Sequence, residues 1–305
     1  MMNRIVHIAA ISFAVIFGFS FMFSKVALDY VTPIGLISYR FLVAFLVFEL
    51  LRLCKVIRIR FEFRYLKSLF LVAIFQPVLY FLFETYGLAR TSSSEAGMMI
   101  ALIPIFVSIL SSLILKEKPK FIQVFFIVMS VFGIIYIQIS KSSAGLQFEL
   151  VGFLLLFGAV LSAAVFNITS RSASRLVKPY ELTYFMMLIG AIVFNTIYIV
   201  NLISENRVQD YVLNLRHIEL ILPILYLGIV ASIGGFFLVN YALGHLEAHV
   251  ASIYANLSTI VSILAGAIFL KESLFYYHYL GSAFIILGVY GTVRFNHKNR
   301  LKEKL

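Results

Sequence analysis

Two ionisable side chains stand inside long apolar runs of this 305-residue chain, Arg40 and Glu84. A guanidinium or a carboxylate in such surroundings is costly unless it is paired or faces a wet cavity. Together they could anchor a polar ligand or form a proton-responsive pair. The competing reading is a structural ion pair, or an arginine whose stem snorkels toward an interface. Gln76, Tyr80 and Glu84 fall at i, i+4 and i+8, so a helix would carry them as one stripe. Ser232, Phe236 and Asn240 repeat that spacing, while Ser252, Asn256 and Thr259, and Ser162, Phe166 and Thr169 with Asn167 beside them, form like stripes at i, i+4 and i+7. Polar–aromatic stripes on several helices suit a central cavity that grips an amphipathic small molecule. Interhelical hydrogen bonding, about 0.6 kcal/mol per contact, explains any single one of them equally well.

The elements that must position these residues are dictated by composition. The chain is 62% hydrophobic and 13% charged, with a mean hydropathy of +0.99; a soluble domain carries roughly a quarter of its residues as charges. Its apolar residues come in runs of about 20, the length at which a helix crosses a bilayer, and without the period-two alternation of a membrane barrel. Ten spans are expected, at 5–25, 34–51, 67–88, 95–115, 120–139, 150–170, 180–202, 219–242, 248–270 and 275–293. The first is a retained helix and not a cleaved leader, since it is long and lacks a small-residue cleavage site. An even count puts both termini on one side. Of the 25 lysines and arginines, 18 then fall on that side and six on the other, with Arg40 within a span. This bias places the termini in the cytoplasm. The net charge of +11 is therefore a membrane-orienting signal and not a nucleic-acid footprint. Cys54 is the sole cysteine, which leaves no internal disulfide.

The chain also repeats itself. Tyr86-Gly-Leu, Ala96, Ile105, Leu115-Lys-Glu117 and Gly133 stand opposite Tyr241-Ala-Leu, Ala251, Ile260, Leu270-Lys-Glu272 and Gly288, an offset of 155 (86 to 241). Upstream, Lys25 and Pro33 stand opposite Arg171 and Pro179, an offset of 146 (33 to 179). Each repeat, 1–145 and 146–305, holds five spans, and an odd number inserts the second copy upside down. The expected fold is thus all-α integral membrane, ten transmembrane helices as two inverted five-helix repeats. Such repeats permit one state open to each side, the basis of alternating access.

With Phe17-Gly-Phe-Ser-Phe, Pro33, Tyr39-Arg40, Tyr86-Gly-Leu, Ala101-Leu-Ile-Pro104 and the two Leu-Lys-Glu and glycine pairs in this order, the sequence resembles the EamA-type members of the drug/metabolite transporter superfamily. The resemblance covers nearly the whole chain. It implies a ten-helix carrier with cytoplasmic termini that moves amino acids, nucleobases or other metabolites, often outward. Two departures stand out: Asn256-Leu-Ser-Thr259 where the pattern tends to have proline, and Phe17 where it often has tryptophan.

The residues expected to bind substrate or couple ions are Arg40, Gln76, Tyr80, Glu84, Asn167, Ser232, Asn240 and Asn256. Pro77, Pro104 and Pro223 interrupt helices 3, 4 and 8, freeing carbonyls that could line a pathway or simply marking packing kinks. Glu117 and Glu272 read as structural carboxylates near the starts of helices 5 and 10, and Lys25 with Asp29 as an interfacial pair. His245-Leu-Glu247-Ala-His249 has the wrong order for a zinc-protease helix. No metal, cofactor, enzymatic dyad or nucleotide-binding stretch is expected. The expected partners are a small-molecule substrate, the lipid bilayer and protons as coupling ion. No nucleic acid is expected, and the lack of a prominent GxxxG pattern points to a monomer. Desolvation and a neighbouring guanidinium would act on the Glu84 proton in opposite senses. A membrane-embedded sensor or assembly partner without transport activity is the alternative reading.

Overall fold

The computed structural model describes residues 2–59, 62–88, 90, 99, 102–141, 150–269 and 274–296. Ten long helices run through them. The first half holds α1 (Met2–Leu28), α2 (Pro33–Leu53), α3 (Phe63–Gly87), α4 (Ile103–Leu115) and α5 (Phe121–Lys141). The second holds α6 (Leu150–Ala173), α7 (Pro179–Ser204), α8 (Ile218–His245), α9 (Ala248–Phe269) and α10 (Tyr276–Asn296). Seven of the ten are long and apolar enough to cross a membrane, and α4 and residues 121–137 of α5 are shorter apolar helices. A short helical turn at 210–216, absent from the sequence expectation, joins α7 to α8. The first third of the span expected at 95–115 lies almost wholly outside the described residues. So do Lys271, Glu272 and the Lys25 side chain, and with them the Lys25–Asp29 pair.

The helices are dressed for lipid. Ile5, Ile8, Ile11 and Val15 form an exposed apolar face on α1, while Val6, Ala9, Ala10, Phe13 and Ala14 turn inward. Polar side chains lie inside instead, among them Ser38, Arg40, Ser170, Thr183, Ser232, Asn240 and Asn256. Hydrocarbon offers no hydrogen bonds, so these groups must find partners on neighbouring helices or face an internal cavity.

Packing between the halves is reciprocal. Helix α2 lies against α7 and α5 against α10, each the counterpart of the other. Helix α1 packs on α8 and α9, as α6 packs on α3 and α4. The relation holds at single residues. Ser38 Oγ on α2 donates to Asn195 Oδ1 on α7 at 2.7 Å, and Tyr184 Oη on α7 donates to Glu49 Oε2 on α2 at 2.9 Å. At the offset of 146, Ser38 maps to Tyr184 and Glu49 to Asn195, so one contact is the image of the other. Proline pre-sets the first turn of a helix, and both helices use it: Pro33 opens α2 behind the cap Thr32, and Pro179 opens α7.

The α5–α10 seam shows the same image at the offset of 155. A methyl group at Gly133 would come within 2.6 Å of the Gly281 carbonyl and 3.2 Å of the Ile285 nitrogen. One at Gly288 would come within 2.6 Å of the Phe126 carbonyl and 2.8 Å of the Ser130 nitrogen. Positions 126 and 130 map to 281 and 285, so glycine is required at matched points by the same backbone approach. The chain is accordingly a helical membrane protein of two inverted five-helix repeats. Below, the face that carries the start of α1 and the end of α10 is called the terminal face, and the opposite one the distal face.

Gly133→Ala and Gly288→Ala should each lower thermal stability in detergent by a similar amount, about 1–3 kcal/mol for overpacking against backbone. Gly234→Ala, whose nearest atom would lie 4.0 Å away, should leave it unchanged. Unequal losses at the two paired glycines would contradict the symmetry of the seam.

Candidate functional site

Helix α3 does not run straight through its polar stripe. Residues Ile74–Leu79 are wound as a π-helix, with Gln76 at φ −150°, ψ 118° and a cis peptide to Pro77. Proline removes one backbone donor and its ring blocks the preceding turn, so the break falls where Gln76 meets Pro77. The strict i, i+4 relation of Gln76 to Tyr80 is lost there. Gln76 is half-buried, and its amide has no hydrogen-bond partner among the described residues. Beyond the break the helix is regular, and Tyr80 Oη donates to Glu84 Oε1 at 3.1 Å. Both side chains are half-buried.

Arg40 approaches from α2. It is 8% exposed, and its Nε donates to Ser232 Oγ on α8 at 2.7 Å. Its guanidinium carbon lies 4.9 Å from the Phe81 ring centre and 5.7 Å from that of Phe41, close enough for cation–π attraction. The approach of α8 depends on Gly228, where a Cβ would stand 3.0 Å from the Arg40 carbonyl oxygen. Ser232 belongs to a π-wound stretch, Tyr226–Gly235, that follows Pro223. Phe17 on α1 closes the neighbouring wall, its ring 5.5 Å from that of Phe236. A Cβ at Gly235 would meet the Phe17 ring at 2.6 Å.

Arg40 and Glu84 are not an ion pair: within the 4.0 Å that defines one, they make no contact among the described residues. Each has a neutral hydroxyl as its partner instead. The two terminal nitrogens of Arg40 have no hydrogen-bond partner among the described residues, and neither is sealed from solvent. A guanidinium carries five donors, and here most of them are open. Arg40, Ser232, Tyr80, Glu84, Phe81 and Phe41 thus converge from three helices in the distal half of the protein.

The remaining sequence candidates lie elsewhere. Asn240 is fully buried and bonded on both ends of its amide: it accepts from Ser170 Oγ at 2.7 Å and donates to Thr183 Oγ1 at 3.0 Å. It ties α8 to α6 and α7. Asn256 donates to Ser130 Oγ at 3.1 Å and ties α9 to α5. Asn167 is half-buried and donates to the Ala163 carbonyl of its own helix at 2.8 Å.

Glu117 differs from its expected place. It lies in the linker after α4, which ends with Lys116 in the left-handed region (φ 56°). Its carboxylate does not serve α5. It accepts from Arg171 Nε at 2.9 Å, from Arg175 Nη2 at 3.2 Å and from the Ala248 backbone nitrogen at 2.9 Å. The N-terminus it favours electrostatically is therefore that of α9.

Sequence reasoning also missed a tyrosine–asparagine lock at the distal face. Tyr39 Oη donates to the Tyr211 carbonyl at 2.7 Å, and Tyr211 Oη to Asn195 Oδ1 at 2.6 Å. The signal was present in Tyr211, just beyond the end of α7. Phe81 was overlooked because aromatics are so common in this chain.

Ten helices in two inverted repeats, with polar groups turned inward, fit a membrane transporter, and comparison with known proteins agrees. A family model described as the EamA-like transporter family matches twice, over residues 4–139 and 150–294. The chain is similar to YcxC, an uncharacterized transporter of Bacillus subtilis (strain 168), with 37% identity over 286 residues, 94% of this chain and 92% of that protein. An uncharacterized transporter of Archaeoglobus fulgidus is 28% identical over 91% of this chain and 94% of its own length. A solved crystal structure superposes with a TM-score of 0.76 at 14% identity, covering 97% of this chain and 98% of that one, and supports the fold. The chain belongs to the EamA-like transporter family and is a multi-pass membrane transporter.

Asn240→Ala would leave the buried Ser170 hydroxyl without its acceptor, while Thr183 would keep its donation to the Pro179 carbonyl. It should lower stability by about 1–3 kcal/mol, whereas Asn167→Ala should stay within about 0.5 kcal/mol. Denaturant unfolding followed by tyrosine fluorescence distinguishes the two.

Proposed function

We propose that this chain is a secondary active transporter that exports a small metabolite, such as an amino acid or related compound, by alternating access. The two halves are 1–145 and 146–305, and both termini are cytoplasmic, as the basic terminal face favours. The observation that carries the reading is Arg40, a buried guanidinium bonded to one neutral oxygen, with open donors beside a half-buried carboxylate. Guanidinium binds carboxylate through parallel charge-assisted hydrogen bonds. Arg40 and Ser232 take the substrate's carboxylate, Glu84 and Tyr80 its amino group, and the unpartnered amide of Gln76 a further polar atom. Phe17, Phe41, Phe81 and Phe236 offer apolar walls to the rest of the molecule. Glu84, whose contact is a neutral hydroxyl and not a cation, is the group we assign to proton exchange. Asn167, Asn240 and Asn256 join helices around the pathway and do not contact substrate in this reading.

Uptake of labelled amino acids and nucleobases into proteoliposomes, with and without a proton gradient, tests this. Wild type should show saturable flux driven by the gradient. Arg40→Lys, which keeps the charge but loses the planar fork, should raise the half-saturating concentration by about ten- to a hundredfold, the worth of one charge-assisted hydrogen bond. Glu84→Gln should retain exchange of substrate but lose its dependence on the gradient. Flux that is indifferent to both substitutions would return the pair to a structural role, and no flux of any compound would favour a sensor.

A further inference from the structure

The terminal face closes on a junction that the transport site does not use. Glu117 lies at its centre, holding Arg171 and Arg175 from the end of α6 and the first backbone nitrogen of α9. Arg171 extends the chain of contacts by donating Nη1 to the Leu243 carbonyl at 2.8 Å, in the last turn of α8. The α4–α5 linker and the ends of α6, α8 and α9 thus meet through one carboxylate and one guanidinium. Both are nearly buried, with side chains 11% and 10% exposed.

Directly beside these favourable contacts lie unfavourable ones. His249, in the first turn of α9, is 0% exposed, and neither ring nitrogen has a hydrogen-bond partner. The Glu247 carboxylate stands 3.5 Å from Nε2 without hydrogen-bond geometry. Ser174 Oγ, just past the end of α6 and facing Gly244 of α8, is also buried and unsatisfied. Among the described residues, these three atoms are the only buried side-chain nitrogens and oxygens without a partner. All three sit at this junction. Native proteins rarely leave such groups unpaired, because each one costs free energy in the arrangement that buries it. A permanent brace gains nothing from that. A closure that must open does: water entering the junction satisfies all three atoms as the Glu117 contacts part, which brings closed and open arrangements closer in free energy.

We propose that Glu117 and Arg171 form a latch that closes the terminal face and releases once in each transport cycle, opposed by the buried, unsatisfied His249 and Ser174. The proposal rests on the transport reading above. In it, removing the latch and removing the opposing group have opposite effects. Glu117→Gln keeps the shape and loses the charge that holds Arg171 and Arg175, so the junction opens more often. His249→Leu replaces an unsatisfied imidazole with an apolar side chain, so the closed arrangement is favoured.

The test is thiol labelling of Ser252→Cys in a Cys54→Ser background, in nanodiscs where both faces are accessible and with no solute added. Ser252 is 4% exposed, one turn beyond His249. Exposed Cys54 of the otherwise unchanged chain serves as the reference for full labelling. Labelling should be about tenfold faster with Glu117→Gln, the scale of one lost charge-assisted hydrogen bond, and slower than the parent with His249→Leu. Equal rates in all three chains, no labelling in any, or a rise with both substitutions would overturn the latch. If Glu117→Gln fails to fold, His249→Leu decides alone, since a simple brace predicts no slowing. Because no solute is needed, the expected pattern in a chain that carries no flux would sink only the transport reading. Flux with invariant labelling would sink only the latch.

Discussion

Hydrocarbon supplies no hydrogen bonds, and the architecture of this protein follows from that constraint. Helices satisfy their own backbones, but Ser38, Asn195, Ser170, Thr183, Asn240 and Asn256 must find partners on other helices. For α2 and α7 the partners come reciprocally, as at Ser38–Asn195 and Glu49–Tyr184; Ser170, Thr183 and Asn240 find theirs within the second half. What the pairing leaves over is informative. At Gln76 and the terminal nitrogens of Arg40 it leaves polar groups with no partner among the described residues, and those groups are not sealed.

Close approach of helices is the second condition. Glycines at 133, 281 and 288 let α5 and α10 touch backbone to backbone, and Gly228 lets α8 reach the carbonyl of Arg40. The π-wound stretches of α3 and α8 lie on the two helices that line the Arg40 site, and each is associated with a proline. Backbone groups freed from regular helical bonding at membrane depth are tolerated only where protein or a wet cavity receives them. In α3 and α8 the irregular winding thus accompanies the polar site, while a third π-wound stretch, Ser111–Leu115, ends α4 away from it.

Much of this was legible in the sequence. Run lengths located the spans, and the prolines at 33 and 179 marked equivalent helix starts that the structure uses in the same way. Arg40 stood out because charge inside an apolar run has few explanations. Its partner did not, because helical periodicity says which residues share a face and nothing about which helix faces them; Ser232 is 192 positions away. Glu117 misled for a related reason. Proximity in sequence suggested the dipole of α5, while the fold brings the first turn of α9 against it. The break at Gln76 was signalled by Pro77, but not its extent.

The reciprocal packing has a consequence for how such a chain is decorated. Two halves that match in shape must insert in opposite senses, so the features that set insertion have to differ at equivalent places while those that set packing stay alike. The stretch from the last turn of α2 to the first turns of α3 carries Arg52, Lys55, Arg58, Arg60, Arg64 and Lys67, whereas its counterpart between α7 and α8 carries Arg207 and Arg216. Lysines at 116, 118 and 120 after α4 face a single lysine, 271, in the second half. Glycine at 133 and 288 and proline at 33 and 179 stand at matched points of the two halves, whereas lysine and arginine do not. One packing frame thus carries two different charge patterns, dense on one set of loops and sparse on the other.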